Sequence, residues 1–305
     1  MTKAFKLLII AASLAATCTA AAAQTPSPTP RFPPVRIGPP APVPPAVEML
    51  RPSTAELTEI NAALKSWIAS GKSQSAAALR KYEPIILLQP PRLNTAATFT
   101  QTTQRMGPRH EGFVATAKAG NIDLLLHGDS ITDWWVQNDD NKKVFQKYFG
   151  NIRTANFAVA GDTTQGVLWG LRNGEGQGFQ PKAIMLMIGT NNMGANTAPE
   201  IAEGIGAVVL EMRRNFPDAK ILLLAIFPRG VPGDPVRDKI AETNRIISKL
   251  DDQKHVFYLD IGPKFLDGMG TFLPDAFRPD NLHPAAKGYD IWGEAVQATL
   301  GQLLR

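Results

Sequence analysis

Two short stretches of this chain carry residue types that together can hydrolyse an ester. Gly128-Asp129-Ser130-Ile131 follows the apolar run at residues 122–126, and Asp280-Asn281-Leu282-His283 lies near the C-terminus. A serine hydroxyl is a poor nucleophile until a base removes its proton. An Asp-x-x-His loop can supply that base, because the aspartate fixes one imidazole nitrogen and leaves the other free. The pair of stretches predicts a serine hydrolase.

The serine motif has a structural alternative, since Asp129 and Ser130 could simply cap the helix that follows them. The decision therefore depends on finding a histidine. His127 is expected to be a hydrogen-bonded core residue, His110 lies in a helical region, and His255 begins the last strand. His283 alone lies in a polar loop, so we predict that it is the base.

A serine hydrolase also needs donors for the oxyanion that forms during catalysis. Gly161 and Asn191 each follow an apolar run, and a glycine backbone can approach a substrate closely. We predict an oxyanion hole made of the amides of Ser130 and Gly161 and the side chain of Asn191. The alternative is that Asn191 and Asn192 only close turns.

The elements around these motifs form a repeating strand–helix pattern. Short apolar runs alternate with longer mixed segments that are typical of helices. Continuous apolar strands separated by helices predict a parallel sheet that is covered on both faces, with active groups at the carboxyl ends of the strands. The expected fold is a three-layer α/β/α domain with a five-stranded parallel sheet. Its strands are predicted at 122–126, 153–159, 183–188, 220–227 and 256–261.

The N-terminal third divides into three further segments. Residues 1–23 have a basic start, an apolar stretch and a small-residue cleavage site before Gln24, which is typical of a signal peptide. Proline dominates residues 24–52 and predicts a semi-rigid tether. A capping box at residue 53 opens a helical extension over 53–106, and the hydrolase domain is predicted over 107–305. We therefore expect an exported protein, periplasmic or extracellular, that keeps no stable membrane insertion.

Composition excludes several classes of function. Cys18 is the one cysteine, and it leaves with the signal, so the mature chain has no thiol nucleophile, disulfide or cysteine metal site. Lipidation of Cys18 is disfavoured because Thr17 stands where a small residue is usual. The net charge of +5 falls to +3 without Lys3 and Lys6, which is weak support for binding nucleic acid. No cofactor or metal cluster is indicated, and the oligomeric state is left open.

The ordered motifs resemble the SGNH (GDSL) hydrolase superfamily: Gly128-Asp129-Ser130, Gly161, Asn191 and Asp280-x-x-His283. The intervening stretches look like the branch that contains the catalytic subunits of intracellular platelet-activating-factor acetylhydrolase. The resemblance covers roughly residues 120–300. It implies a flavodoxin-like fold, a Ser130–His283–Asp280 triad, an acyl-enzyme and short acyl groups, acetyl above all. Ile131 replaces the leucine that gives the family its name, a conservative change.

Export and three tryptophans suggest a class of substrate. An exported acetylesterase would meet acetylated polysaccharide, and Trp134, Trp135 or Trp169 could stack on sugar rings. The alternative for the tryptophans is core packing. Two other functions stay open: an esterase or lipase for short-chain lipid or aryl esters, and a tethered, inactive glycan-binding module.

Overall fold

A five-stranded parallel sheet forms the centre of the molecule. The computed structural model describes residues 35–305, and the sheet has the strand order β2-β1-β3-β4-β5. The strands are β1 (Leu124–Gly128), β2 (Thr154–Asn156), β3 (Ala183–Met187), β4 (Lys220–Leu224) and β5 (Val256–Leu259). The predicted sheet is confirmed. Four of the strands end before their predicted apolar runs do, and β1 begins and ends two residues later than predicted.

Helices cover both faces of the sheet, as the continuous apolar strands predict. Alternate residues of β1 enter separate cores: Leu125 joins one, and Leu124 and Leu126 join the other. The three-layer α/β/α fold is therefore confirmed. The helices are α1 (Thr54–Ser70), α2 (Gln74–Leu79), α3 (Glu83–Ile86), α4 (Pro108–Ala119), α5 (Ser130–Asp133), α6 (Asp139–Phe149), α7 (Thr164–Gly170), α8 (Ala198–Asn215), α9 (Pro235–Ile247) and α10 (Ala286–Leu303).

The first helix begins and ends where its sequence signals predict. Ser53 and Glu56 form the reciprocal capping box of α1, and Gly71 ends the helix in the left-handed conformation with φ 59°. The helical part of the extension stops at the end of α3, however. Residues 87–106 run as extended chain with two short 3₁₀ turns. No helix in residues 35–305 is both long and apolar enough to cross a membrane.

The described part of the predicted tether, residues 35–52, packs on the α/β fold, so the tether prediction is wrong for this stretch. Pro40 forms an antiparallel bridge with Thr98, and Val47 is buried in the same hydrophobic core as Leu125 of β1. Arg51 donates to both carboxylate oxygens of Glu203 in α8 at 2.7 Å. Pro-rich chain can pack in this way because its fixed backbone loses little entropy. Residues 24–34 of the tether and the predicted signal peptide lie outside the described residues.

Residues 94–106, hereafter the strap, follow and pack against α7 and α8. Asn94 donates to the backbone carbonyl of Glu200 and to the carboxylate of Glu203, both at 2.8 Å. Ala96, Ala97 and Phe99 are buried, and the last buried side chain of the strap is Arg105. The strap thus enters the fold just ahead of α4 and β1.

Candidate active site

Ser130 stands at the first position of α5, immediately after β1. A side chain at Gly128 would overlap the backbone oxygen of Met187 in β3, so the turn requires glycine there. Asp129 does cap the helix, because its Oδ1 accepts the backbone N–H of Ile131 at 3.0 Å. Ser130 takes no part in that cap. Its Oγ instead lies 2.9 Å from Nε2 of His283.

The Asp280–His283 loop presents the imidazole to Ser130. Oδ2 of Asp280 accepts the hydrogen bond of His283 Nδ1 at 2.7 Å, while Oδ1 accepts the backbone N–H groups of Leu282 and His283 at 3.0 Å. Asn281 completes the tight turn with φ 50°, a conformation that asparagine tolerates. The three predicted residues are therefore hydrogen-bonded in the order Ser130, His283, Asp280.

The environment of Asp280 keeps its carboxylate charged. Partial burial by itself would raise the pKa of Asp280. The hydrogen bonds from the His283 backbone and imidazole and from the Leu282 backbone together outweigh that effect, so the pKa lies below its usual value. A charged acceptor holds the proton on Nδ1 and leaves Nε2 as the base. The Asp280 side chain is 46% exposed, whereas that of His283 is 13% exposed. Solvent therefore screens the aspartate more than the histidine.

The loop at residues 157–162 carries Gly161 beside the serine turn. Val159 donates its backbone N–H to the carbonyl of Gly128 at 3.2 Å, and Gly161 adopts φ 78°. Asn191 Nδ2 donates to the carbonyl of Asp162 at 2.7 Å. A carboxamide nitrogen carries two hydrogens, so the second remains for a substrate oxygen. The structure thus links all three predicted oxyanion donors through one loop.

The neighbouring asparagine has a structural role, as the alternative interpretation expected for both. Asn192 is buried, its Oδ1 accepts the N–H of Thr164, and its Nδ2 donates to Gln165. Arg229 supports the same turn by donating to the carbonyl and hydroxyl of Thr190 at 3.2 and 3.3 Å. Arg229 therefore holds the turn that carries Asn191, by its hydrogen bonds to Thr190.

Trp134 contacts the candidate base directly, which its sequence position did not reveal. Its ring stacks on the imidazole of His283 with centroids 3.9 Å apart and planes at 27°. The guanidinium of Arg278 lies 4.7 Å from the centre of the same indole and donates to Gln137. Trp135, in contrast, is fully buried among aromatic side chains. The prediction of a sugar-stacking face therefore fails for Trp135.

The other predicted aromatic and histidine positions lie away from the Ser130–His283 contact. Trp169 packs against His110, with ring centroids 4.7 Å apart, and His110 donates to Glu175. His127 is fully buried but neither ring nitrogen has a hydrogen-bond partner, so the expectation of a hydrogen-bonded core histidine is wrong. Burial lowers the pKa of His127 well below its usual value, and Arg105 adds to the effect, which keeps the ring neutral. Residues 35–305 contain no cluster of three or more His, Cys, Asp or Glu side chains able to hold a metal ion.

Comparisons with known proteins agree on one family. The model of the GDSL-like lipase/acylhydrolase family matches residues 126–291. The alpha2 subunit of platelet-activating factor acetylhydrolase IB from Rattus norvegicus is 36% identical over 211 residues, covering 68% of this chain and 89% of that protein. The alpha1 subunit from Bos taurus is 32% identical over 196 residues, covering 64% of this chain and 82% of its own.

Solved structures share the fold. A chain from Streptococcus pneumonia superposes with a TM-score of 0.52 and 22% identity, covering 63% of this chain and 92% of that chain. A GDSL-like lipase from Bacteroides thetaiotaomicron gives a TM-score of 0.50 with 16% identity, covering 63% of this chain and 97% of that chain. At these identities the likeness supports the three-layer architecture alone.

Proposed function

This chain belongs to the GDSL-like lipase/acylhydrolase family and is an esterase, and from that premise we propose that Ser130, His283 and Asp280 hydrolyse short-chain esters, above all acetyl esters. The observation that carries the proposal is the continuous hydrogen-bonded order of the three side chains, at 2.9 and 2.7 Å. A glycan-binding module without activity is set aside by the family membership.

In the proposed reaction, Ser130 Oγ attacks the ester carbonyl carbon while His283 Nε2 takes the hydroxyl proton. The carbonyl oxygen becomes an oxyanion that accepts hydrogen bonds from the backbone amides of Ser130 and Gly161 and from Asn191. His283 then gives its proton to the leaving alcohol, and an acyl-enzyme remains. Water attacks that ester with His283 again as base, which releases the acid. Asp280 stabilises the imidazolium in both halves of the reaction.

A small acyl group is favoured by the surroundings of the nucleophile. Ser130 is only 5% exposed, and its apolar neighbours Ile131 and Trp135 are fully covered by other parts of the protein. Those side chains therefore offer no free apolar surface to a long acyl chain. The name of the similar acetylhydrolase subunits also points to acetyl.

We propose acetylated carbohydrate as the source of the ester. Trp134 supports this, since its half-buried indole beside His283 is the one predicted tryptophan located at the site. The predicted signal peptide supports it too, because an exported acetylesterase would meet cell-wall or environmental glycans. Short-chain lipid or aryl esters are the second candidate, favoured by the similarity to the platelet-activating factor acetylhydrolases.

The catalytic part is tested with p-nitrophenyl esters of two to eight acyl carbons. We expect the wild type to prefer acetate and Ser130→Ala to lose turnover. Asp280→Asn should lower kcat by about 10²–10³, somewhat less than for a fully buried triad aspartate, because Asp280 is partly solvated. A Ser130→Ala protein as active as the wild type would refute the assignment, and preference for octanoate would refute the acetyl proposal.

The alcohol is tested by measuring acetate released from acetylated xylan and from triacetin. Faster release from xylan at matched ester concentration supports a carbohydrate substrate, whereas faster release from triacetin favours the lipid-like alternative. Export is tested separately by expressing the full chain in a Gram-negative host and determining the N-terminus of the extracytoplasmic protein. We expect that protein to begin at Gln24, and a cytoplasmic protein that keeps Met1 would contradict the prediction.

A further inference from the structure

We propose that Arg105 is a positioning residue for the oxyanion hole, and that the strap is therefore a working part of the active site. Arg105 lies ahead of residues 126–291, where the family model matches. The proposal rests on the function proposed above, since it assumes that Gly161 and Asn191 bind the oxyanion.

Arg105 holds both ends of the loop that carries Gly161. Its side chain is completely buried, with Nε donating to Oδ2 of Asp162 at 2.6 Å and Nη2 donating to the carbonyl of Phe157 at 2.9 Å. Phe157 and Asp162 are the first and last residues of this loop. Backbone hydrogen bonds to β1 continue past the three residues of β2 as far as Val159 and stop two residues before Gly161. The guanidinium therefore holds the end of the loop, at Asp162, that the sheet does not hold.

Asp162 connects this brace to both remote donors of the oxyanion hole. Asp162 directly follows Gly161 in the chain, and its carbonyl accepts a hydrogen bond from Nδ2 of Asn191 at 2.7 Å. Thr102 of the strap donates to the other carboxylate oxygen of Asp162 at 3.1 Å. The Asp162 carboxylate is thus held on both oxygens by the strap. A displacement of Asp162 would move the Gly161 amide and rotate the Asn191 carboxamide together.

Ion pairs between Arg105 and two buried carboxylates restrict the movement of the guanidinium. Arg105 also bonds Glu175 through Nη1, and Glu175 accepts His110 Nδ1 at 2.7 Å. Burial raises the pKa of Asp162, and the charge and hydrogen bonds of Arg105 oppose that rise. Separating a buried ion pair leaves an uncompensated buried charge, which is strongly unfavourable, so both carboxylates stay bound to the guanidinium. Charge-assisted bonds at these distances also have narrow geometry.

Helix α7 is shaped around the same carboxylates. A Cβ at Gly166 would overlap Oδ1 of Asp162, and a Cβ at Gly170 would overlap the carboxylate of Glu175. Two glycines in one seven-residue helix are unfavourable, since glycine loses more backbone freedom on folding than alanine does. Their presence is explained by the space that the Arg105 cluster needs beside the loop.

The chain offers a matched control for a purely structural role. Arg51 also comes from the N-terminal part and also pairs with a buried carboxylate, Glu203 in α8. Glu203 binds Asn94 at the far end of the strap, but neither Arg51 nor Glu203 contacts loop 157–162. Arg51→Gln should weaken the packing of the N-terminal part without moving the oxyanion donors. Any loss of activity caused by general loosening would appear in both arginine variants.

The experiment compares the full-length wild type with Arg105→Lys, Thr102→Val and Arg51→Gln. Lysine keeps the charge but loses the fork that spans the two ends of the loop, and valine removes one hydroxyl donor at nearly constant volume. For each protein we would measure kcat and KM on p-nitrophenyl acetate, the thermal midpoint, and the rate of Ser130 modification by a fluorophosphonate, whose phosphoryl oxygen occupies the oxyanion hole.

We expect Arg105→Lys to lower kcat and the modification rate by about 10–100-fold with KM within threefold, since misplacement by 1 Å can cost about 10²-fold. Thr102→Val should give about a 3–10-fold loss, and Arg51→Gln should lower the thermal midpoint with kcat within twofold. Folded Arg105→Lys with kcat and modification within twofold of wild type would overturn the proposal. If that variant does not fold, Thr102→Val within twofold overturns it.

Equal losses of kcat in Arg51→Gln and Arg105→Lys would also overturn the proposal, because they would show a general effect of stability. Failure of the proposed function is recognised separately. In that case Ser130→Ala would keep the wild-type turnover, and no strap variant would be informative about an oxyanion hole.

Discussion

The carboxyl group of Asp129, next to the proposed nucleophile Ser130, should make the stability of the protein fall as the pH rises. Asp129 is completely buried; Oδ1 accepts the N–H of Ile131, but Oδ2 has no hydrogen-bond partner. Burial raises the pKa of Asp129 to about 7, and the charge of Asp162 contributes in the same direction. The folded protein therefore favours the protonated form, whereas an unfolded aspartate has a pKa of about 3.9.

The sign and the size follow from linkage. Because the folded state holds the proton more tightly, the stabilisation is complete below about pH 4 and is lost as the pH rises through about 7. The pKa changes from 3.8 to about 7, and each pKa unit corresponds to about 1.4 kcal/mol, so the full loss is about 4 kcal/mol. Between pH 5 and pH 8 the loss amounts to about 2–3 kcal/mol.

The Asp129→Asn variant removes this titration and keeps an oxygen to accept the Ile131 amide. Urea unfolding of wild type and variant at pH 5 and pH 8 would give the free energy of unfolding of each. We expect the difference between them to shift in favour of the variant by about 2–3 kcal/mol from pH 5 to pH 8. Asp139→Asn is the matched control, since its side chain is 90% exposed and should show no such shift. A difference for Asp129→Asn that is the same at both pH values would refute the reasoning.

Two further predictions concern packing at the site. Replacing Trp134 by Leu should lower kcat about 3–10-fold, because an aromatic contact is typically worth about 0.5–1.5 kcal/mol and here it holds the imidazole of the proposed base His283. Trp134→Phe should keep most of the activity, and equal kinetics for both variants would contradict a stacking role. Gly166→Ala should destabilise the protein by about 1–3 kcal/mol, because its methyl group overlaps the Asp162 carboxylate. Thermal denaturation beside Gly194→Ala checks this, since a Cβ at Gly194 meets nothing within 4 Å, and a similar midpoint for the two alanine variants would count against the overlap.

The sequence was sufficient to predict those parts of the molecule that repeat or lie in local motifs. Buried parallel strands are continuously apolar, so the runs that became β1 and β3 were visible directly. The Asp280–His283 turn closes within four residues, so its geometry follows from local spacing. The capping box of α1 is local in the same sense.

Interactions between distant segments were not predictable from one sequence. Arg105 looks like an ordinary loop cation between Gln104 and Met106, and its partner Asp162 is 57 residues away. The stack of Trp134 on His283 joins residues in two separate motifs. Val47 lies in a Pro-rich stretch whose composition suggested extended chain, yet tertiary packing places it in the core. A useful signal existed in hindsight: the two glycines of α7 are poor helix formers and indicate a crowded neighbour.

The separation of the paired residues along the chain has a consequence for how the enzyme becomes active. The partners of Arg105, Asp162 and Glu175, lie 57 and 70 residues later in the chain. Ser130 and His283 are separated by 153 residues. Contacts between such distant segments form late because the entropy of closing large loops must be overcome first. Refolding should therefore restore secondary structure before it restores turnover, and the time between the two events would measure how long these distant segments take to come together.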